Sequence, residues 1–329
     1  YGVQKKRDIV GAVEQISSKD IADRIGSYQN VSRSLQGAIP GLTVTFSDGK
    51  PTRGASFQVR GANSIGAGGS ALILVDGVET DITTVNSEDI ESISVLKDAS
   101  STAVYGSRGT FGVILITTKR PEKGQMKITY NGSYNFYKRT VTPELVDNGY
   151  DWTTSYLEAY TNSYATDPTN INNVFRFSRA WYSELERRNS DPSYEKWRIN
   201  PADNRYEYFG NTNWYKIFYK DYTTGHQHNL SITGGTDKAS YYVSGRFFHQ
   251  DGIYNAGDER YNQYNVLAKG TVQATKWLRV ENTTSFMSRF SHQPTLTTGG
   301  QSFTVTPTRM MNHQGFPMTL EKNPDGTWT

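Results

Sequence analysis

The sequence predicts an α+β domain in residues 1–121, followed in residues 122–329 by antiparallel strands in which apolar and polar side chains alternate. Short helix and strand signals alternate in the first region. After Gly124, segments of about ten residues alternate apolar and polar side chains and carry aromatic residues near their ends. This change of pattern places the boundary near residue 121.

The composition limits the kinds of function. The 35 Lys and Arg residues nearly balance the 32 Asp and Glu residues, and the net charge of +3 argues against a dedicated nucleic-acid binder. We interpret the short basic cluster at residues 5–7 as a solvated tail. The chain has no cysteine, which excludes disulfides, thiolate zinc sites and cysteine nucleophiles. An aromatic content of 13% argues against intrinsic disorder.

In the first region, a helix is expected between Asn30, which can cap it, and the stop signal Pro40-Gly41. A second capped turn is expected at Asn86-Ser87, and a short helix at residues 98–105 that ends at Gly106. The expected strands are residues 42–46, 56–60, 71–75 (ending in the turn signal Asp76-Gly77) and 112–117.

The second region is expected to form strands at residues 126–137, before Gly234-Gly235, and at residues 241–247, 264–272 and 278–286. In the first of these, Ile128 and Tyr130 lie on one face, whereas Lys127 and Thr129 lie on the other. This pattern is typical of a transmembrane barrel. A soluble antiparallel sheet with one solvated face shows it as well. Periodicity alone leaves both interpretations open.

An insert dense in Tyr and Trp separates the first and second strands, at about residues 138–224. A structureless insert of this length is unusual, so it should contain short helices and packed loops of its own. Asn148 or Asp151 can cap a helix that carries Tyr156 and Tyr160.

Several spaced blocks of the sequence resemble one family. Residues 90–120, which contain LKDAS, YGSRG and GVILITTKR, resemble the plug domain of TonB-dependent transporters, as do residues 59–61 (VRG) and 74–78 (LVDGV). The form of residues 90–120 and the opening YGVQKKRD are particular to the SusC/RagA branch. Residues 214–235 and 241–254 resemble the start of that branch's barrel.

This resemblance implies an α+β plug domain at residues 1–121, followed by the N-terminal strands of a large antiparallel transmembrane β-barrel. The full barrel is expected to have about 22 strands around a plugged lumen. The few strands seen here would leave unpaired edges in lipid, so we expect the protein to continue beyond Thr329. The TonB box is expected just before Tyr1. The implied location is the outer membrane of a Gram-negative bacterium.

The implied function is TonB-dependent active import of a nutrient, with an oligosaccharide as the favoured solute and a peptide as the alternative. TonB, with its inner-membrane energising complex, pulls on the plug in this family, and a SusD-like surface lipoprotein serves as the lid. Outer-membrane lipid is a further partner, and transporter–lid pairs form homodimers in the family. No cofactor or nucleic acid is expected.

A second interpretation is a surface glycan-binding or adhesion protein without transport. The branch-specific blocks argue against a siderophore or vitamin transporter.

Polar plug residues are expected to seat the plug in the barrel, and the resemblance selects Arg60, Glu91, Lys97, Asp98 and Arg108. For Arg60 and Arg108 we expect contacts with carboxylates or carbonyls of the barrel wall, because a guanidinium supplies several fixed donors. The alternative for all five is ordinary surface charge.

Two outward plug loops, residues 47–53 and 79–84, are expected to meet the solute. Their candidate contact residues are Asp48, Lys50, Arg53, Glu79, Asp81 and Thr83. These loops are polar, as contact with a sugar or a peptide requires, although solvated turns would be polar too. Aromatic residues of the insert could stack on sugar rings, and they are equally suited to barrel girdles or loop packing.

Catalytic and metal-binding residues are not predicted. His226 and His228 share a strand face, but no third ligand is evident near them in the sequence. Glu184 and Glu186 could resemble the two catalytic carboxylates of a glycosidase, although the spacing of such carboxylates is set in three dimensions. Neither a Gly-x-Ser-x-Gly elbow nor a phosphate loop occurs. The sequence therefore predicts a transporter rather than an enzyme.

Overall fold

The computed structural model describes residues 13–17, 31–47, 54–59, 70–171, 175–255, 257–293, 296–298, 301–303 and 315–327. The chain divides into two compact units. Residues 1–136, 224–251 and 260–291 form the first unit, and residues 137–223, 252–259 and 292–329 form the second. Within the described ranges, no helix is long and apolar enough to cross a membrane.

The first unit begins with an α+β domain, which we call the small domain and define as the described residues up to Thr118. Its strands are β1 Val13–Ser17, β2 Leu42–Thr45, β3 Ser56–Val59, β4 Leu72–Val75, β5 Val78–Glu79, β6 Ile90–Leu96 and β7 Val113–Thr118. Its helices are α1 Val31–Leu35 and α2 Ala99–Thr102, with 3-10 turns at Ile82–Thr84, Ser87–Asp89 and Ala103–Gly109.

Five of these strands form one sheet in the order β1-β6-β7-β4-β5. Strands β4 and β7 run parallel, and the other neighbours are antiparallel. Strands β2 and β3 form a separate antiparallel hairpin. The mixture of short helices and mainly antiparallel strands confirms the α+β class expected for this region.

Apolar residues from both sides of this sheet form the core of the small domain. The larger cluster joins the sheet to α1 and to the β2–β3 hairpin, and its fully buried members are Val31, Leu35, Phe57, Ile82, Ile90, Ile93, Val95, Ile114 and Ile116. A smaller cluster on the other side contains Leu72, Leu74, Leu96 and Val113. Strand β7 is buried on both sides, which explains its continuous apolar sequence.

The predicted turn between β4 and β5 is confirmed. Asp76 and Gly77 both have positive φ, 48° and 86°, as the two central residues of a type I′ hairpin turn require. The Asp76 carboxylate accepts hydrogen bonds from the backbone N–H of Thr118 at 3.0 Å and from its hydroxyl at 2.6 Å. The turn is therefore tied to the end of β7.

The strands that follow are β8 Gly124–Lys138, β9 Trp197–Ile199, β10 Tyr206–Tyr208, β11 Tyr222–Gly235, β12 Ala239–Asp251, β13 Arg260–Gln273, β14 Arg279–His292, β15 Leu296–Thr298 and β16 Gln301–Phe303. A five-stranded sheet, here called the large sheet, has the order β14-β13-β12-β11-β8. Its connections are short between β11 and β12 and between β13 and β14, whereas residues 139–221 separate β8 from β11.

The large sheet has an unusual distribution of side chains. The side that contacts the small domain is buried and largely polar; it carries Asn229, Tyr242, Ser244, Arg246, Gln263, Asn265 and Lys269. The opposite side is exposed and apolar; it carries Met126, Ile128, Tyr241, Val243, Tyr264, Val266 and Phe286. A soluble sheet buries its apolar side instead. Of the two interpretations left open by periodicity, the structure supports the barrel pattern.

The second unit contains helices α3 Gly149–Tyr164, α4 Arg179–Ser190 and α5 Trp214–Phe218. Asn148 caps α3, since its side-chain oxygen accepts hydrogen bonds from the N–H groups of Tyr150 at 2.9 Å and Asp151 at 3.2 Å. The two sequence candidates for this cap are thereby resolved in favour of Asn148. A core of Leu157, Phe177, Trp181, Leu185, Phe209 and Met318 holds the unit together, which confirms that the insert has helices and packing of its own.

Candidate functional site

A polar layer with a buried centre joins the small domain to the large sheet, and its residues all lie in the same compact unit. On the small-domain side, the layer is formed by the β4–β5 turn, the two 3-10 turns before β6, and the end of β7. Its small-domain residues are Asp76, Thr83, Thr84, Asn86, Asp89 and Thr118, and its sheet residues are Asn229, Tyr242, Gln263, Asn265, Lys269 and Arg289. We call this set the polar interface.

At its centre lies a four-residue network. Asn86 caps the Ser87–Asp89 turn, which leaves its amide group free to donate to Oδ2 of Asp89 at 3.0 Å and to Oδ1 of Asn229 at 2.8 Å. The hydroxyl of Tyr242 donates to Oδ1 of Asp89 at 2.8 Å. All four side chains are buried. A buried carboxylate is costly unless its oxygens accept hydrogen bonds, and here both do.

A buried lysine makes the second contact of the polar interface. Nζ of Lys269, on β13, lies 2.9 Å from Oδ2 of Asp76 and donates to the carbonyl oxygen of Thr118 at 3.2 Å. The same carboxylate also accepts two hydrogen bonds from Thr118. The charge of Lys269 is therefore matched both by a carboxylate and by a backbone dipole, as a buried ammonium requires.

The third contact is made to the backbone of the Ile82–Thr84 turn. Nη2 of Arg289 donates to the carbonyl oxygen of Thr83 at 3.3 Å and to its hydroxyl at 3.0 Å. Gln263 donates to the same carbonyl at 3.4 Å, and Asn265 donates to the carbonyl of Thr84 at 2.6 Å. Thr83, which the sequence suggested as a solute contact, therefore lies against strands β13 and β14.

The remaining described solute-contact candidates lie on the exposed part of the small domain. Asp81 is exposed and caps the Ile82–Thr84 turn, accepting from the N–H of Thr83 at 2.9 Å. Glu79 forms an ion pair with Arg108, and both side chains are about half exposed. This pair connects two residues to which the sequence gave different roles. Asp48, Lys50 and Arg53 lie outside the described residues.

The predicted seating residues make their described ion pairs within the small domain. Lys97 pairs with Glu14 at 2.8 Å and also donates to the carbonyl of Pro40, so it holds β1 and the α1–β2 connection to β6. Glu91 is exposed, and Asp98 is the N-cap residue of α2. Arg60 lies outside the described residues. A seating role for Arg60, Glu91, Lys97, Asp98 and Arg108 stays a prediction.

The small-domain residues of the polar interface were missed because each has an ordinary local explanation in the sequence. Asp76 belongs to a turn signal and Asn86 to a helix cap, and both do perform those local roles. The usable signal was on the strands: Asn229, Gln263 and Lys269 are polar residues on the side that a barrel directs toward its lumen.

A third histidine lies beside the pair at 226 and 228. His249 is the cross-strand partner of His226, with ring centroids 5.1 Å apart, and the His226 and His228 centroids are 5.4 Å apart. Two of the imidazoles have other partners: His228 bonds the hydroxyl of Tyr130 at 2.7 Å, and His249 bonds Asn262. In the part of the chain that is described, no group of three or more His, Asp or Glu residues is arranged to hold a metal ion.

Glu184 and Glu186 do not form an acid–base pair. Hydrogen bonds from Arg187 at 2.5 Å and Arg188 at 2.6 Å lower the pKa of Glu184 to about 2. Such a carboxyl is ionised at neutral pH and cannot donate a proton as a general acid. Glu186 instead accepts a hydrogen bond from the Tyr150 hydroxyl at 2.9 Å.

The chain is similar to known proteins both in sequence and in fold. Residues 5–113 match the family model of the TonB-dependent receptor plug domain. TonB-dependent receptor P3 of Formosa agariphila is 32% identical over 286 residues, which are 85% of this chain and 23% of that protein. TonB-dependent receptor SusC of Bacteroides thetaiotaomicron is 41% identical over 149 residues, or 42% of this chain and 15% of that protein.

Two solved structures of RagAB are also similar. The RagAB peptide transporter has a TM-score of 0.65 at 26% identity over 86% of this chain and 31% of that chain. The RagAB peptide importer in its open-open state has a TM-score of 0.65 at 27% identity over 89% of this chain and 32% of that chain. This chain thus spans less than a third of each of the relatives named here. These relatives are receptors and transporters, not enzymes.

Proposed function

We propose that this chain, which belongs to the SusC/RagA-like TonB-dependent transporters, gates the active import of a nutrient across the outer membrane of a Gram-negative bacterium. In this proposal residues 1–121, which include the small domain, form the plug, and residues 122–329 form the first part of the barrel wall. The insert at about residues 138–224 belongs to the outer surface, since long connections of such barrels lie outside the cell.

The polar interface is the observation that supports gating. A plug has to hold its place against the barrel and still be displaced without a permanent leak. Polar contacts suit this task because water can replace each hydrogen bond once the plug moves, so the net cost of breaking one is modest. A dry apolar interface would stay closed, since exposing its surface to water is unfavourable.

The exposed apolar side of the large sheet supports a membrane location. Met126, Val243 and Val266 are each more than 40% exposed on that side. Acyl chains are the environment in which such a surface is stable, and the buried polar side then faces the lumen. Import against a gradient needs an external energy source, for which TonB and its inner-membrane complex are the proposed partners.

An oligosaccharide is the proposed solute. Helix α3 presents a row of aromatic side chains at every fourth position, with ring centroids separated by 5.5 Å, 6.0 Å and 4.7 Å; these are Trp152, Tyr156, Tyr160 and Tyr164. Aromatic residues combine apolar area with hydrogen-bonding tips, as sugar recognition requires. A peptide is the second candidate, favoured by the similarity to the RagAB peptide transporter.

Solute contacts are proposed for the exposed plug residues Glu79 and Asp81 and for Asp48, Lys50, Arg53 and Thr83 of the same two loops. A SusD-like surface lipoprotein is the proposed lid, and a dimer of transporter–lid pairs is the proposed assembly. No catalytic step is assigned to any residue of the chain.

Uptake experiments test the function. Cells that carry the transporter should accumulate labelled oligosaccharides, and deletion of TonB should abolish accumulation while leaving binding at the cell surface intact. The same assay with labelled peptides distinguishes the two solute classes. Accumulation that continues unchanged without TonB would contradict the proposal. Surface binding with no accumulation in either strain would point to a binding or adhesion protein instead.

A further inference from the structure

A cavity of about 350 Å³ lies in the second unit, between the segment that follows β8 and helix α5. This volume falls within the range of sites that bind small molecules. The residues that line it are Lys138, Arg139, Thr142, Pro143, Glu144, Leu145, Asn213, Tyr215, Lys216 and Asp221.

Arg139 is held rigidly in the wall of this cavity. Its guanidinium lies 4.6 Å from the ring centre of Tyr215 and 5.8 Å from that of Tyr219, and its side chain is only 11% exposed. Nη2 donates to Asp221 at 3.1 Å, whereas the buried Nη1 has no hydrogen-bond partner in the described structure. Buried donors without a partner are rare in folded proteins, so this one points to a missing acceptor.

The other charged groups of the cavity leave room for an anion. The side chain of Asp221 is 87% exposed, so water weakens its pairing with Arg139 and a ligand can compete for the guanidinium. Lys138 and Lys216 add two cations to the lining, and among the residues described neither forms an ion pair. Three cations therefore face two carboxylates, those of Glu144 and Asp221.

We propose that this cavity binds a carboxylate group of the imported solute, with Arg139 as the principal donor and Lys138 and Lys216 as supporting charges. A guanidinium can offer two parallel N–H groups to one carboxylate, and its fixed geometry makes the contact selective. The carboxylate can belong to a uronic acid of an oligosaccharide or to the C-terminus of a peptide. The inference rests on the proposed import function, because it identifies the ligand with the imported solute.

Isothermal titration calorimetry on the complete transporter in detergent tests this site. The probes are trigalacturonic acid and its methyl ester, and trialanine and its C-terminal amide. We expect one of the two acids to bind, and its neutral form to bind at least about tenfold more weakly. A tenfold change in affinity corresponds to the loss of a single charge-assisted contact. The acid that binds identifies the solute class.

Variants then assign the contact to the cavity. The double variant Lys138→Gln/Lys216→Gln should weaken binding of the acid about tenfold, and Arg139→Gln should weaken it further. Glu144→Gln, which removes a like charge from the wall, should strengthen it. Lys276→Gln is the matched control, because it removes an exposed lysine outside the cavity. Tryptophan fluorescence checks that each variant is folded.

Three results would overturn the inference. They are equal binding of the acids and their neutral forms, no binding of either acid, or an unchanged affinity in the double-lysine variant. TonB-dependent uptake is measured separately on the same variants. If the acid binds as expected but its uptake does not depend on TonB, the import function is wrong and the carboxylate site stands.

Discussion

The hydroxyl of Tyr242 donates a 2.8 Å hydrogen bond to Oδ1 of Asp89, a residue 153 positions earlier in the chain. Tyr242 belongs to barrel strand β12 and Asp89 to the turn that leads into plug strand β6. Both side chains are 3% exposed. The contact therefore joins the plug to the wall at a point that is closed to water while the plug is seated.

Replacing Tyr242 by Phe removes the donor and leaves one oxygen of the buried Asp89 carboxylate without a partner. We expect this change to weaken plug seating by about 1–3 kcal/mol. In planar bilayers, the variant should open ion-conducting channels at a lower urea concentration than the unchanged protein. Tyr241→Phe is the control, since Tyr241 lies on the exposed side of the same strand. If both variants conduct equally, the Tyr242 bond does not seat the plug.

The pair formed by Lys269 and Asp76 can be tested with a double-mutant cycle. Lys269→Met and Asp76→Asn should each lower the free energy of plug unfolding, and the asparagine also tolerates the positive φ at position 76. Because the pair is largely buried, we expect a coupling energy of about 0.5–3 kcal/mol, measured by urea titration of a fluorophore on the plug.

The exposed pair of Lys123 and Asp237 provides the comparison for this cycle. Its side chains are 64% and 95% exposed, so its coupling energy should be about 0.2–1 kcal/mol. Equal coupling energies in the two cycles would show that burial of Lys269 adds nothing to plug seating.

The stability of the insert should depend on pH below 5. The pKa of Glu184 is about 2 in the folded protein, below its usual value of 4.5, chiefly because of the hydrogen bond from Arg187. A carboxyl group whose pKa is lower in the folded state stabilises the fold at pH values above its unfolded pKa. This stabilisation is lost as the pH falls from 4.5 toward 2. Thermal unfolding followed by the fluorescence of the buried Trp181 should show this decline.

In Glu184→Gln, the unfolding temperature should be lower at neutral pH and should change less between pH 5 and 2. Part of the decline will remain, because the pKa of Asp167 is also lowered by its hydrogen bond from Arg179. If the profiles of the variant and the unchanged protein are parallel over this range, Glu184 is not the group responsible.

A charge on the outward side of the large sheet should impair insertion into the membrane. Val243→Lys places an ammonium on the side proposed to face lipid, at a cost of about 2–4 kcal/mol if it lies near the middle of the bilayer. The amount of folded protein in outer-membrane fractions should fall. Val104→Lys is the control, because Val104 is similarly exposed but lies on the plug. Equal yields from both variants would argue against a lipid-facing surface at Val243.

Much of the architecture could be predicted from local signals. The alternation in residues 241–247 and 264–272 indicates strands with two different sides, and Asp76-Gly77 indicates a tight turn. Both predictions hold because period-two alternation and positive φ are set by near neighbours. Alternation gives no information on which side is buried. The buried side is the one on which the plug packs, against Tyr242 and Lys269. These two residues lie far from the plug in the chain.

The seating contacts were harder to predict for the same reason. Charged residues such as Lys97 attract attention in a sequence, yet Lys97 is paired with Glu14 inside the plug. The residues that contact the wall include Asn86 and the backbone carbonyls of Thr83 and Thr84. Every residue has a carbonyl, so its use as an acceptor leaves no trace in the amino-acid type.

The two sides of the large sheet also restrict how the protein can be assembled. In water, collapse of the chain would bury Val243 and Val266 together and leave Gln263 and Asn265 wet, the reverse of the arrangement in the sheet. The core of the plug around Ile114 needs water to form. With the proposed membrane location, the chain carries segments that require opposite solvents, so the strands must be kept from collapsing until they reach the bilayer.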